Sequence, residues 1–144
     1  EYYLQRTSHG STLSRVVHAK LALLAGKEEL SRELFFEALA SDFNDIQGGT
    51  TGEGIHAGVM AGTLMIALTA YAGVNFNGDM LRVNPGLPEK WPSLEFGLHF
   101  RGVRYSFLVT NTKVTVLADA NSELEIFGRK LTLEKFIEQD ALPA

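Results

Sequence analysis

The sequence predicts an α+β protein, a helical module followed by a small antiparallel β module, and three observations carry that prediction. Up to about Gly73 the apolar residues recur at helical spacing. After Val74 they alternate with a period of two over short runs. Just past the change, Asn84-Pro85-Gly86-Leu87-Pro88 can form neither helix nor central strand, because two prolines fix φ and remove backbone donors.

The elements follow in order. Leu13, Val16, Val17, Leu21 and Leu24 fall on one face of a first helix, and Gly26 is its stop. Glu28 and Glu29 open a second helix, where the positive end of the macrodipole favours acidic side chains. Leu30, Leu34, Phe35, Ala38 and Leu39 give it a buried stripe. A loop from Asp42 to Thr51 leads to a third helix running to about Ala72. Strands are predicted at Met80–Val83, Leu94–Phe100, Val103–Thr110, Val114–Ala118 and Leu124–Phe127. Arg101-Gly102 and Asn111-Thr112 are the tight turns between consecutive members, so the sheet or sandwich is antiparallel. The domains are therefore expected at residues 1–73 and 74–144.

Composition bounds the partners. At 144 residues and 45% hydrophobic content the chain can build a core. A net charge of −4 without a basic run argues against nucleic acid. With no cysteine there is neither a disulfide framework nor a thiolate metal site, which fits a cytoplasmic location. The opening Glu-Tyr-Tyr-Leu-Gln is not a signal peptide and reads as a start inside something longer. The apolar stretch from Ile55 to Val74 contains His56, Thr63, Thr69 and several small residues. It suits a helix packed on all sides within a large protein better than a membrane span.

The most informative segment is Gln47-Gly48-Gly49-Thr50-Thr51-Gly52-Glu53-Gly54-Ile55-His56. Lying before a helix, it is where free backbone N–H groups and the positive dipole end can hold an anion. Glycines permit close backbone approach, and threonine hydroxyls can donate to phosphate or sugar oxygens. It is neither a Walker A loop nor a dinucleotide fingerprint. Equally, Thr50-x-x-Glu53 fits a capping box that satisfies only the helix's own donors. A second polar cluster, Arg6-Thr7-Ser8-His9-Gly10-Ser11-Thr12-Leu13-Ser14, precedes the first helix, where Ser11 or Thr12 could be a plain N-cap. Two such helix starts could serve one pocket.

Of the four histidines, His9 and His56 lie near these helix starts as possible phosphate partners, while His18 and His99 suit surface or core-edge roles. No histidine pair has metal-ligand spacing with a supporting carboxylate, so no metal and no cofactor are expected. No Gly-x-Ser-x-Gly elbow is present for acyl chemistry.

The stretch Gly48-Gly49-Thr50-Thr51-Gly52-Glu53-Gly54-Ile55-His56-Ala57-Gly58-Val59-Met60-Ala61-Gly62-Thr63 closely resembles a characteristic segment of glycoside hydrolase family 65. Thr7-Ser8-His9-Gly10-Ser11-Thr12-Leu13-Ser14 resembles an upstream motif of that family. Asn84-Pro85-x-Leu87-Pro88-x-x-Trp91, followed by Leu94-x-Phe96, resembles the start of its small C-terminal β domain. The resemblance implies that the helices are the last ones of an (α/α)6 barrel, followed by a small antiparallel β-sandwich.

It further implies inverting phosphorolysis of an α-linked glucobiose. Inorganic phosphate is the co-substrate, and β-glucose 1-phosphate and glucose are the products. Ser11, Thr12, Gly49, Thr50, Thr51 and His56 are the phosphate-binding residues it points to. No catalytic residue is assigned within the chain: the general acid is expected upstream of residue 1, and Asp42, Asp45 and Glu53 are not given that role. The partners implied are the disaccharide, phosphate, the rest of the barrel and, for the whole enzyme, a second copy; neither nucleic acid nor a membrane is expected.

Two alternatives stand beside this reading. One is a related hydrolase, which would need a carboxylate base aimed at water. The other is a carbohydrate-binding module in which Trp91, Tyr105, Phe96 and Phe100 stack on sugar, although Phe96, Leu98 and Phe100 also alternate as core positions. The three helices are expected to leave apolar faces uncovered.

Overall fold

A computed structural model describes residues 2, 5–6, 12–44, 52 and 54–143, with Thr12 described by its backbone alone. The chain forms two compact units, Glu1–Ala67 and Leu68–Ala144.

In the first unit α1 (Thr12–Leu24) and α2 (Glu28–Leu39) form a helical hairpin. Gly26 ends α1 in the left-handed conformation at φ 69°. The Lys27 amide donates to Ala22 and the Gly26 amide to Leu23, each at 2.9 Å, which is a Schellman closure satisfying two orphan carbonyls. The hairpin is tight because small residues meet between the helices: Ala19, Ala22, Ser31 and Ala38 are buried. Arg15, early in α1, pairs with Glu37, late in α2, at 2.9 Å. Leu34 and Phe35 are buried as predicted, whereas Leu39 of the same predicted stripe is exposed.

Leu13, Val17, Leu21 and Leu24, read as one apolar face of the first helix, are 51–76% exposed, in keeping with helices that leave apolar faces uncovered, and the alanine side is buried. Alanine allows the closest backbone approach, so the alanines pack against α2 and the larger apolar face is left on the surface. α3 (Ala57–Ile66) is divided in the same way. Val59, Thr63 and Ile66 are buried, but Leu64 and Met65 are exposed, so it is not enclosed on all sides. It continues as a π-helical turn, Ala67–Tyr71. Among the described residues no helix is long and apolar enough to cross a membrane.

The second unit carries two four-stranded sheets, ordered β1-β2-β6-β7 and β3-β4-β5-β8. The strands are β1 (Val74–Asn75), β2 (Leu81–Val83), β3 (Leu94–Phe100), β4 (Val103–Val109), β5 (Val114–Ala118), β6 (Ser122–Ile126), β7 (Arg129–Leu133) and β8 (Gln139–Ala141). Every pairing is antiparallel except β2 with β6, where Leu81 to Val83 run alongside Leu124 to Ile126 in parallel. The chain makes three strands of the other sheet before returning, the long crossover that parallel pairing needs. Period-two alternation cannot reveal that pairing, nor the short strands β1, β7 and β8.

Arg101 (φ 50°) and Gly102 (φ 83°) form the turn joining β3 to β4, with both residues left-handed as a two-residue primed turn requires. The turn after β4 is built differently: the Thr110 hydroxyl accepts the Lys113 amide at 3.1 Å and donates to the Lys113 carbonyl at 3.1 Å. Inward residues of both sheets, including Leu81, Val83, Phe107, Val109, Val114, Val116, Leu124, Ile126 and Leu133, share one core. Phe96 stacks on Phe107 with ring centroids 5.0 Å apart. Phe96, Leu98 and Phe100 pack on this core and Tyr105 is buried in it, so they form no exposed sugar platform.

Where the π-helical turn hands over to β1, Gly73 is left-handed at φ 63°. A Cβ built on it would lie 1.8 Å from the Asn84 carbonyl oxygen. The Asn84 amide donates to the Gly73 carbonyl at 3.0 Å, and the Gly86 amide to the Tyr71 carbonyl at 3.0 Å. The proline-rich loop is therefore laced to the end of the helical turn, with Tyr71 and Trp91 rings 5.0 Å apart beside it.

Candidate functional site

The site is assembled from helix starts in the first unit. Glycines at positions 58 and 62 of α3 face α1. A Cβ on Gly58 would lie 3.3 Å from Leu13 Cδ2, and one on Gly62 2.6 Å from Val16 Cγ1. Contacts that climb both helices in the same direction mean that α1 and α3 are parallel and begin side by side. The two helix starts singled out in the sequence are thus neighbours, and their positive dipole ends reinforce one another.

His56 is the N-cap of α3, and its side chain makes no capping bond to the helix. It is held from outside. The Asp42 carboxylate accepts the His56 backbone amide at 2.9 Å through Oδ2 and meets ring Nδ1 at 2.7 Å through Oδ1. That ring bond is the main cause holding the Asp42 carboxyl below the usual carboxylate range, with burial pushing the other way. α3 starts after His56; Thr50 and Glu53, the pair that fits a capping box, lie outside the described residues.

Thr12 opens α1. Ser11, Gly49, Thr50 and Thr51 lie outside the described residues, as does His9. His18 is partly buried within α1, and His99 is exposed on β3. Structure adds two residues that sequence reasoning did not select. Asp42 is one; its only signal was a carboxylate at the end of α2, which has no local pattern. Arg15 is the other, one turn into α1, with its Nε on Glu37 and its Nη1 buried without a partner among the described residues.

Residues 1–65 match the glycosyl hydrolase family 65 central catalytic domain, and residues 74–133 match the C-terminal domain of the same family. The chain belongs to glycoside hydrolase family 65. Trehalose 6-phosphate phosphorylase of Lactococcus lactis is 36% identical over 134 residues, which cover 93% of this chain and 17% of that protein. Kojibiose phosphorylase of Thermoanaerobacter brockii is 31% identical, across 93% of this chain and 18% of that protein. A solved structure assigned as a kojibiose phosphorylase, from the human microbiome, superposes with a TM-score of 0.80 at 25% identity. It covers 99% of this chain, which spans 21% of that one. The chain thus spans about a fifth or less of the family 65 relatives it matches.

Proposed function

We propose that this chain serves as the C-terminal part of an inverting family 65 disaccharide phosphorylase and supplies the phosphate-holding side of its pocket. In this reading residues 1–73 complete an (α/α)6 barrel and 74–144 form its C-terminal β domain. A phosphate oxygen attacks the anomeric carbon of an α-linked glucobiose on the face opposite the leaving oxygen. A general acid elsewhere in the barrel protonates that oxygen, giving β-glucose 1-phosphate and glucose. Asp42 is unsuited to be that acid, since it stands as a carboxylate accepting two hydrogen bonds.

The observation that carries the proposal is the side-by-side start of α1 and α3, each led by one of the two family motifs, with His56 anchored at the second. Such a place offers donors and positive potential, which suit an attacking anion better than a water needing a base. Ser11, Thr12, Gly49, Thr50, Thr51 and His56 are the residues proposed to hold the phosphate. The enzyme is proposed to work in the cytoplasm as a homodimer, with phosphate as co-substrate and no cofactor.

Relatives named for trehalose 6-phosphate and for kojibiose define the substrates to try. The complete enzyme is incubated with trehalose, kojibiose or trehalose 6-phosphate, with and without inorganic phosphate. Phosphate-dependent formation of β-glucose 1-phosphate from one of them is expected. Equal sugar release without phosphate would sink this reading in favour of hydrolysis.

A further inference from the structure

We propose that Asp42 is the positioning residue of the phosphate site, fixing both the orientation and the tautomer of His56; this rests on the phosphorylase reading above. Two contacts make the grip. One carboxylate takes the backbone amide and the ring Nδ1 of the same residue, at 2.9 and 2.7 Å. A single contact to the ring would leave the side chain able to swing about its first torsion. With the backbone also held, ring and helix start move as one body.

The same bond fixes the proton. An ionised carboxylate can only accept, so Nδ1 carries hydrogen whether the ring is neutral or charged. Ligand binding by the ring therefore falls to Nε2. Asp42 stays ionised because the ring bond holds its carboxyl below the usual range. Its side chain is only 13% exposed, which shelters the pair from competing water.

Position gives the grip its reach. Asp42 follows α2, His56 begins α3, and the bond draws together the two ends of the segment 43–55, which contains the glycine-threonine motif. Of the carboxylates at this end of the hairpin, Glu37 is engaged by Arg15. Among the described residues, Asp42 is the carboxylate that meets His56.

Asparagine tests the mechanism sharply. The His56 amide can only donate, so it claims the asparagine oxygen and leaves the amide nitrogen facing Nδ1, which must then accept. The ring proton moves to Nε2, and the carboxylate that steadies a charged ring is gone. In the complete enzyme, Asp42→Asn is expected to raise the KM for inorganic phosphate roughly 10–100-fold, by analogy with the loss of a partner orienting a metal-ligating histidine. The KM for disaccharide and the kcat at saturating phosphate should stay within about threefold. Asp42→Glu, which keeps both acceptors, should fall between the two; it is also the variant to use if asparagine prevents folding.

The double variant Asp42→Asn with His56→Gln should be no worse than His56→Gln alone, because Asp42 acts through that ring. An unchanged phosphate KM, or losses that add in the double variant, overturns the proposal. If the wild-type enzyme proves to hydrolyse without phosphate, the phosphorylase reading falls separately. Coupling of the two substitutions in the hydrolytic kcat/KM would then sustain the positioning role, and additivity would end it.

Discussion

The two units of this chain treat their apolar residues in opposite ways. In the β unit they close on themselves: fourteen residues from Ala72 to Ala141 form one buried cluster, and partly buried rings such as Phe96 and Phe100 seal it. In the helical unit the hairpin is held by alanines and a serine, while Leu13, Val17, Leu21 and Leu24 line the outside of α1 and Phe43 is 94% exposed. The β unit has the burial of a self-sufficient domain. The helical unit has the surfaces of elements made to be covered, as the proposed barrel would cover them. The proposed site lies on the less complete half, as a site shared with a larger barrel would.

The same kind of deletion made in each unit separates the two most sharply. Phe107→Ala removes a fully buried ring and is expected to cost about 3–5 kcal/mol. In the 144-residue chain by itself, Leu21→Ala on the exposed face of α1 is expected to change stability within about 0.5 kcal/mol. Thermal melts of both variants check this, and a large loss from Leu21→Ala would show that the α1 face is covered in solution.

A smaller effect is expected at the laced loop of the β unit. Gly73→Ala meets the Asn84 carbonyl and must also hold a positive φ, so a loss of about 2–3 kcal/mol is expected. Gly86→Ala, which meets nothing within 4 Å, is the control and should be nearly silent. Similar melts for the two would contradict the close approach at Gly73.

The smallest effect concerns the last strand. Asp140 on β8 accepts from Lys113 at 2.8 Å and from Thr115 on β5, and these bonds, the lysine's first, hold its carboxyl below the usual range. A depressed carboxyl contributes stability above its unfolded value and loses it as pH falls through the folded one. Asp140→Asn should therefore lower the melting temperature slightly near neutral pH, and the gap to wild type should close on acidification. A gap that widens in acid would reverse the assignment.

Much of this molecule was legible from spacing alone. The switch of period near Gly73, the Gly26 stop, the Arg101-Gly102 turn and strands β3 to β5 depend on local chemistry, which a linear pattern records. Both helix starts were visible as well, because threonine, serine and glycine before an apolar run carry a local meaning whatever lies around them. The family motifs sharpened that into the expectation of a phosphate site without revealing how the two helix starts meet.

Tertiary structure decided the rest, for reasons no spacing contains. Which face of α1 is buried was settled by how closely α2 can approach, and alanine allows more than leucine. The parallel β2–β6 pair depends on where a long crossover returns. Whether two helix starts belong to one site depends on Gly58 and Gly62 letting α3 lie against Leu13 and Val16. The bond from Asp42 to His56 joins residues fourteen apart, a pairing that no local spacing records. Sequence determined which groups could hold an anion; packing decided which of them stand together, because closeness in space follows from shape and not from order along the chain.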